Sequence, residues 1–202
     1  MFVKICGLSS EAQVAAAVAA GANAVGFVFA ASVRRVEPSR AAAIASAVPG
    51  NVKKVAVMLH PSNEAWQRVL GEFSPDVLQT DAGDFAGLDV PAAVECWPVY
   101  REGHAVADTF NAGQKLPGTF LYEGAKSGQG RTVDWSVAAG LARQGNMILA
   151  GGLGIDNVAQ AIATVRPFGV DVSSAVESAP GVKDPALIER FVNAARAAEK
   201  NL

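Results

Sequence analysis

Two stretches near the C-terminal end combine small residues and hydroxyl groups in a pattern typical of anion binding. They read Leu-Ala-Gly-Gly-Leu at 149–153 and Val-Asp-Val-Ser-Ser-Ala-Val-Glu at 170–177, each after a predicted strand. Small residues let backbone N–H groups approach a ligand, and a short helix beginning at the paired serines would direct further N–H groups at an anion. Alternatively, the glycines form a turn and the first serine caps a helix. Because both motifs follow consecutive strands, we expect a phosphate site formed by Gly151, Gly152, Ser173 and Ser174.

Charge and composition limit which partners and which cellular compartment we expect for this chain. The chain has 202 residues, half of them hydrophobic, a net charge of −2 and a pI near 5.7, which argues against nucleic acid or anionic membrane as the main partner. No apolar run reaches the roughly 18 residues of a membrane span, and the start runs directly into a strand-like segment, without a signal peptide. Two distant cysteines, Cys6 and Cys96, favour a reducing cytoplasm.

The elements that position these residues alternate between short, continuously apolar runs and longer Ala-rich amphipathic segments. Continuous apolar runs are typical of parallel strands buried on both faces. The predicted strands are Val3–Cys6, Ala24–Phe29, Lys53–Leu59, Val77–Gln79, Ala93–Val99, Thr119–Tyr122, Met147–Ala150 and Gly169–Val172. The predicted helices are Glu11–Ala20, Pro38–Val48, Asn63–Phe73, Trp135–Arg143, Asp156–Thr164 with Asp156 as a plausible N-cap, and Pro185–Glu199.

Eight strands in this length predict an α/β fold, a single compact (β/α)8 TIM barrel over residues 1–202. The fourth and fifth helices are expected to be shortened or irregular, because the segments 81–91 and 101–117 carry weak helical patterns. An open, doubly wound sheet is the alternative fold.

Five motifs, in order from the first predicted strand to the eighth, resemble the phosphoribosylanthranilate isomerase family. They are Lys4-Ile5-Cys6-Gly7, Gly26-Phe27-Val28-Phe29, Asp134-Trp135-Ser136, Arg166-Pro167-Phe168 and Asp171-Val172-Ser173-Ser174. The resemblance covers essentially the whole chain, although residues 81–118 match weakly. It implies a TIM barrel that carries out an Amadori rearrangement in tryptophan biosynthesis on a small phosphorylated substrate. It also implies acid–base catalysis with no metal, nucleotide or redox cofactor.

The resemblance assigns the catalytic base to Cys6, at the C-terminal end of the first strand. A free thiol with a pKa near 8.5 is a poor base at neutral pH, so a neighbouring group must favour the thiolate. Lys4 lies two residues back on the same side of the strand. It is expected either to assist Cys6 or to form a buried ion pair with Asp171. Asp171 itself is expected near the ribose or amino bridge of the substrate, unless it holds Lys4.

The resemblance assigns the acid to Glu123, where the family usually has Asp. Glutamate performs the same proton transfer with one more methylene group of reach. Arg35 matches the arginine expected to bind the anthranilate carboxylate, because a planar guanidinium suits a bidentate contact, whereas Arg34 is expected to face solvent. The glycine-containing loop that follows Glu123 is expected to form a lid over the substrate.

Two further departures from the family pattern concern the site. Asp81 stands where many relatives carry His, and Ala175 replaces the Gly usual after the paired serines. If the backbone at Ala175 needs a positive φ, the substitution costs about 1 kcal/mol and weakens phosphate binding. If that backbone is helical, the substitution is harmless.

Two alternative functions are kept. The related histidine-pathway isomerase performs the same chemistry on a substrate with two phosphates, but the predicted third and fourth strands end in segments that are not Gly-rich. A non-catalytic phosphosugar-binding barrel is supported only by Glu123 and Ala175.

His60 and His104 lack partners at metal-ligand spacing, so no metal is expected. The sequence leaves open whether the chain is a monomer or a homodimer.

Overall fold

Eight parallel strands close into a barrel in the order β1 to β8, with β1 pairing with β8. The computed structural model describes residues 1–103, 118–125 and 132–202. The barrel strands are β1 Phe2–Cys6, β2 Ala24–Val28, β3 Lys53–Val57, β4 Val77–Asp81, β5 Glu95–Arg101, β6 Thr119–Glu123, β7 Asn146–Leu149 and β8 Gly169–Val172. A small antiparallel pair follows, formed by β9 Glu177–Ala179 and β10 Val182–Lys183. The closed parallel barrel confirms the predicted fold class and excludes the open sheet.

The helices of the described residues follow the strands in alternation. They are α1 Glu11–Ala19, α2 Pro38–Ile44, α3 Asn63–Phe73, α4 Trp135–Ala142, α5 Val158–Val165 and α6 Pro185–Glu199. In this part of the chain, no helix combines the length and the apolar character that crossing a membrane requires.

The predicted start of α5 is wrong. The N-cap is Asn157 rather than Asp156, and its side chain makes no capping hydrogen bond. Instead, its Oδ1 accepts a hydrogen bond from the Gly154 N–H at 2.8 Å and its Nδ2 donates one to the Gly152 carbonyl at 2.9 Å. The Asn157 side chain therefore holds the glycine-containing turn after β7.

The connection after β4 contains a short 3-10 helix, Ala82–Gly87, in place of a full helix. This agrees with the expected shortening of the fourth helix. β5 extends to Arg101, two residues beyond its predicted end. The expected irregular fifth helix falls mainly on residues 104–117, which lie outside the described residues.

Two apolar layers pack against the strands, one outside the barrel and one inside it. The outer layer packs the strands against the helices, and the smaller inner layer fills the barrel. The inner residues are Ala24, Val55, Val77, Trp97, Val99, Leu121, Ile148 and Ala150. Side chains alternate along a strand, so a residue two or four positions after an inner-layer residue also points into the barrel. Such a residue lies nearer the C-terminal mouth of the barrel. Asp81, Arg101 and Glu123 stand at such positions.

Candidate active site

A cavity of about 810 Å³ opens at the C-terminal end of the barrel strands. This end of a (β/α)8 barrel is the face where active sites form, and the volume suits a small-molecule ligand. Seven of the eight predicted site residues line this cavity. They are Cys6, Glu123, Gly151, Gly152, Asp171, Ser173 and Ser174. Most of the residues predicted from the sequence therefore share one cavity.

The eighth residue, Arg35, lies elsewhere, which corrects the expectation for the two adjacent arginines. Arg35 is half exposed, donates a hydrogen bond to Glu37 at 2.9 Å and lines a separate small depression. Arg34 lines the central cavity instead. Adjacent residues in this connection point in opposite directions, and the sequence motif alone did not fix which one faces inward. Of the two adjacent arginines, Arg34 is therefore the one that faces the cavity.

Lys4, Cys6 and Asp171 form one buried cluster at the base of the cavity. Lys4 Nζ donates a hydrogen bond to Asp171 Oδ1 at 2.9 Å, and Lys4 is fully buried. The strand register places Lys4 directly opposite Asp171 on β8. The charges of Lys4 and Asp171 both act on the Cys6 thiol. The predicted ion pair of Lys4 with Asp171 is therefore present, and Lys4 also stands beside Cys6.

Burial dominates the ionisation of the Cys6 thiol. Desolvation raises its pKa above the usual value, and the positive charges of Lys4 and Lys183 counter this effect without overcoming it. The pKa of Asp171 is raised as well, mainly by burial and against the influence of Lys4. Glycine at position 26 leaves room for this cluster, because an added Cβ would lie 3.0 Å from Cys6 Sγ and 3.3 Å from Lys4 Cε.

Glu123 lies at the end of β6 in contact with an arginine that the sequence analysis did not identify. Arg101 Nη1 donates a hydrogen bond to Glu123 Oε1 at 2.7 Å. Its Nη2 donates to Asp81 Oδ1 at 2.7 Å, and its Nε donates to both oxygens of Asp81 at 2.9 and 3.0 Å. Arg101 stood in a weakly patterned segment, so only its position at a strand end, two residues past an apolar run, could have indicated it.

A histidine completes this side of the cavity mouth. His60 lines the cavity, with Nδ1 2.9 Å from Asp84 Oδ1 and Nε2 3.7 Å from Asp81 Oδ2. The hydrogen bond and the charge of Asp84 raise the pKa of His60. His60 therefore adds a titratable group next to Asp81 and Arg101.

The predicted phosphate-binding residues form the wall of the cavity where β7 and β8 end. Gly151 and Gly152 have φ values of 87° and 63°, which L side chains adopt only with strain. Ser173 Oγ donates a hydrogen bond to the Cys6 carbonyl at 3.0 Å, and Ser174 begins a three-residue 3-10 helix. Ala175 lies inside that helix and packs next to Gly154. The helical alternative for Ala175 is therefore correct, and its methyl group imposes no backbone strain.

A buried ion network that the sequence analysis missed supports this wall. Glu177 accepts hydrogen bonds from Arg34 Nε at 2.7 Å, from Arg34 Nη2 at 2.8 Å and from Lys183 Nζ at 2.6 Å. Lys183 Nζ also donates to the Ser173 carbonyl at 3.0 Å. Burial of Glu177 opposes its ionisation, but the hydrogen bonds from Arg34 and Lys183 lower its pKa to about 2. The network thus fixes the guanidinium of Arg34 and holds the Lys183 ammonium against the Ser173 backbone.

Taken together, the cavity has a thiol beside a lysine, a carboxyl group held by an arginine, and a wall of small residues backed by cations. This set can transfer protons to and from a bound molecule that carries a phosphate and a carboxylate. The loop expected to form a lid falls mainly on residues 126–131, which lie outside the described residues.

Comparison with known proteins identifies the family of this chain. Residues 3–194 match the sequence profile of the N-(5'-phosphoribosyl)anthranilate isomerase family. Curated isomerases of that name from Mesorhizobium japonicum and Chromohalobacter salexigens are 36% and 40% identical. The first match covers 97% of this chain and 95% of the relative, and the second covers 95% and 92%.

Solved structures give the same result. A phosphoribosyl anthranilate isomerase in complex with reduced 1-(o-carboxyphenylamino)-1-deoxyribulose 5-phosphate superposes with a TM-score of 0.81, at 28% identity and over 98% of this chain and 99% of that one. TrpF from Jonesia denitrificans superposes with a TM-score of 0.77, at 33% identity and over 98% of each chain. This chain therefore belongs to the N-(5'-phosphoribosyl)anthranilate isomerase family.

Proposed function

We propose that this chain converts N-(5'-phosphoribosyl)anthranilate into 1-(2-carboxyphenylamino)-1-deoxyribulose 5-phosphate, with Glu123 as general acid and Cys6 as general base. The single observation that carries the proposal is that both residues line one cavity at the C-terminal end of the barrel, together with Gly152 and Ser173. The ligand bound to the related isomerase, a reduced form of this product, supports the same reaction.

The acid step opens the ribose ring. Glu123 donates its proton to the ring oxygen, the bond between that oxygen and C1' breaks, and the nitrogen lone pair forms a Schiff base with C1'. The position of Glu123 at the end of β6 supports this role, since a carboxyl group there faces the cavity. Glu123 is then left as a carboxylate.

The base step forms the enolamine. The Cys6 thiolate takes the proton from C2', and the electrons of that C–H bond form a C1'=C2' double bond while nitrogen recovers its lone pair. The enol then tautomerises to the ketone, in which C1' gains a proton and the C2' hydroxyl loses one. Lys4 supports this role because its positive charge partly offsets the burial that raises the pKa of the Cys6 thiol. Transfer of the proton from Cys6 to Glu123 through solvent restores both groups.

Binding at the two ends of the substrate orients it between acid and base. Arg34 is the proposed partner of the anthranilate carboxylate, in place of Arg35, because Arg34 lines the cavity and Glu177 fixes its guanidinium. The backbone around Gly152 and Ser173 is the proposed phosphate site, with Gly151 and Ser174 beside it. A substrate held in this orientation reaches the transition state with a smaller loss of entropy than one that meets the acid and the base freely in solution.

The activity is tested by adding purified protein to freshly generated phosphoribosylanthranilate, without added metal or nucleotide, and following loss of the substrate. Turnover supports the proposal. Binding of the phosphorylated product without turnover would favour the non-catalytic phosphosugar-binding barrel. Turnover of the histidine-pathway substrate alone would favour the related isomerase.

The proposed setting is the cytoplasm, with a small phosphorylated molecule as the partner. Cys6 and Cys96 are both free thiols, which supports a reducing compartment. A monomer and a homodimer are both compatible with the barrel, and light scattering on the purified protein distinguishes them.

A further inference from the structure

We propose that Arg101 is a positioning residue for the Glu123 carboxyl group, and that Asp81 is the counter-charge that limits the electrostatic effect of Arg101 on Glu123. This inference rests on the proposed function, in which Glu123 is the acid. It adds two residues to the reaction machinery, which act through Glu123 and not on the substrate.

The strand register brings the three side chains together. Asp81, Arg101 and Glu123 end the neighbouring strands β4, β5 and β6, and Arg101 lies directly opposite Glu123. All three side chains line the cavity and are at most one fifth exposed. The ends of three adjacent strands thus place two carboxyl groups on one guanidinium.

The planar guanidinium uses different parts for its two partners. The edge formed by Nε and Nη2 donates to Asp81, whereas Nη1 donates to Glu123 Oε1 at 2.7 Å. An arginine held by a carboxylate along one edge has a fixed orientation, because its N–H groups form a rigid fork. Asp81 therefore fixes Arg101, and Arg101 in turn fixes the Glu123 carboxyl group.

This arrangement addresses a problem that glutamate introduces at this position. Glutamate has one more rotatable bond than aspartate, so an unrestrained carboxyl group samples more positions and loses more entropy when it is held for proton transfer. The hydrogen bond from Arg101 restrains the longer side chain before substrate binds. Preorganisation of a reacting group in this way increases the rate of the chemical step.

Charge balance is the second part of the inference. An adjacent arginine favours the ionised form of a carboxyl group, yet an acid must carry a proton in order to donate it. Asp81 shares the guanidinium and offsets its positive charge, so Arg101 positions Glu123 with a weakened field. Among the described residues, the other charged or titratable groups that face this trio are Asp171 on β8 and His60 after β3.

The test compares the pH dependence of kcat/KM for the wild type, Asp81→Asn and Arg101→Met, with Asp171 and His60 unchanged. Burial raises the pKa of the Cys6 thiol far above the range of an ordinary carboxyl group, so in the active form Glu123 carries a proton and Cys6 does not, and the carboxyl ionisation sets the low-pH limb. Neutralising Asp81 exposes Glu123 to the full charge of Arg101, so this limb moves to lower pH by ~0.5–1 unit and kcat falls. Removing Arg101 moves the same limb to higher pH. It also lowers kcat at least about tenfold, with a KM change below about threefold, because positioning is lost.

Two further variants separate position from charge. Arg101→Lys keeps the positive charge but lacks the fork, so we expect a low-pH limb near that of the wild type with a reduced kcat. Arg68→Gln removes a surface arginine that pairs with Glu72 and Glu37, and it should leave both the limb and kcat unchanged. Thermal unfolding of each variant shows whether it is folded.

The inference would be overturned if the low-pH limb stays in place, or moves in the same direction, in Asp81→Asn and Arg101→Met. In that case a lower kcat would accompany only a lower thermal stability of the variants. If Arg101→Met does not fold, the nearly isosteric Asp81→Asn still decides, because an unmoved limb there contradicts the counter-charge. Absence of turnover in the wild type would remove the proposed function as well. An unmoved limb in an active wild-type background contradicts this inference alone.

Discussion

Lys4 Nζ lies 2.9 Å from Asp171 Oδ1 across the register of β1 and β8, and Cys6 follows Lys4 on the same face of β1. The base proposed for catalysis is thus one member of a buried, charged cluster. A buried ion pair is costly to break, because removal of one partner leaves the other charge without compensation. The first two predictions follow from this relationship.

Substitution Lys4→Met is expected to lower the free energy of unfolding by about 3–5 kcal/mol, since it leaves Asp171 buried and unpaired. The double variant Lys4→Met, Asp171→Asn should recover much of that loss. Urea unfolding measures both. Lys53→Met is the matched control, because Lys53 pairs with Glu95 at the surface and its loss should change stability by less than about 1 kcal/mol. Equal losses for the two lysines would contradict the buried-pair account.

The pH dependence of Cys6 alkylation tests the ionisation of the thiol. The thiolate is the reactive form, and burial raises the pKa of Cys6, so the midpoint of the alkylation rate should lie above that of an ordinary thiol, near 8.5. Lys183→Met should raise the midpoint further, because the charge of Lys183 lowers the thiol pKa. Iodoacetamide labelling in a Cys96→Ser background measures this. A midpoint at or below the ordinary value would show that the lysines outweigh burial.

The two adjacent arginines give a direct test of substrate orientation. Arg34→Met should raise KM by about 10–100-fold, as expected for loss of a charge-assisted contact with the substrate carboxylate. Arg35→Met should leave KM within about twofold of the wild type, because Arg35 lies outside the cavity. Steady-state kinetics of the two variants distinguish these outcomes. A larger effect at Arg35 would restore the original sequence-based assignment.

The proposed phosphate site depends on the backbone conformation at Gly152. An alanine there must adopt a φ of 63°, which costs about 1 kcal/mol or more and moves the N–H groups that face the ligand. We expect Gly152→Ala to raise KM about five- to tenfold with little change in kcat. Gly21→Ala is a control with a similar φ of 87° and no atom near the added Cβ, so it should affect stability without affecting KM. A similar KM for both variants would argue against a phosphate site at Gly152.

Much of the fold was predictable, because a short and mainly apolar run marked each barrel strand, and seven of the eight predicted site residues line the cavity. What sequence could not resolve was the orientation of individual side chains. Arg34 and Arg35 are chemically identical neighbours, and only the path of the chain after β2 determines which one faces the cavity.

Contacts between distant segments were equally hidden. Arg101 becomes part of the site because β5 extends two residues further than its apolar run, which brings the guanidinium between Asp81 and Glu123. Within a single connection, Asn157 was missed as the N-cap of α5 because its side chain supports the turn at Gly152 and leaves the helix end without a side-chain cap. Local propensity favoured Asp156, whereas the Asn157 side chain bonds to Gly154 and Gly152, which lie three and five residues earlier in the chain.

The measurement that tests the central claim most directly is the kcat for phosphoribosylanthranilate of the wild type, Cys6→Ala and Glu123→Gln under identical conditions. If Cys6 is the base and Glu123 the acid, each substitution should reduce kcat by about 10²–10⁴-fold while product binding persists. Wild-type turnover that survives either substitution to within about tenfold would contradict the assignment of that residue.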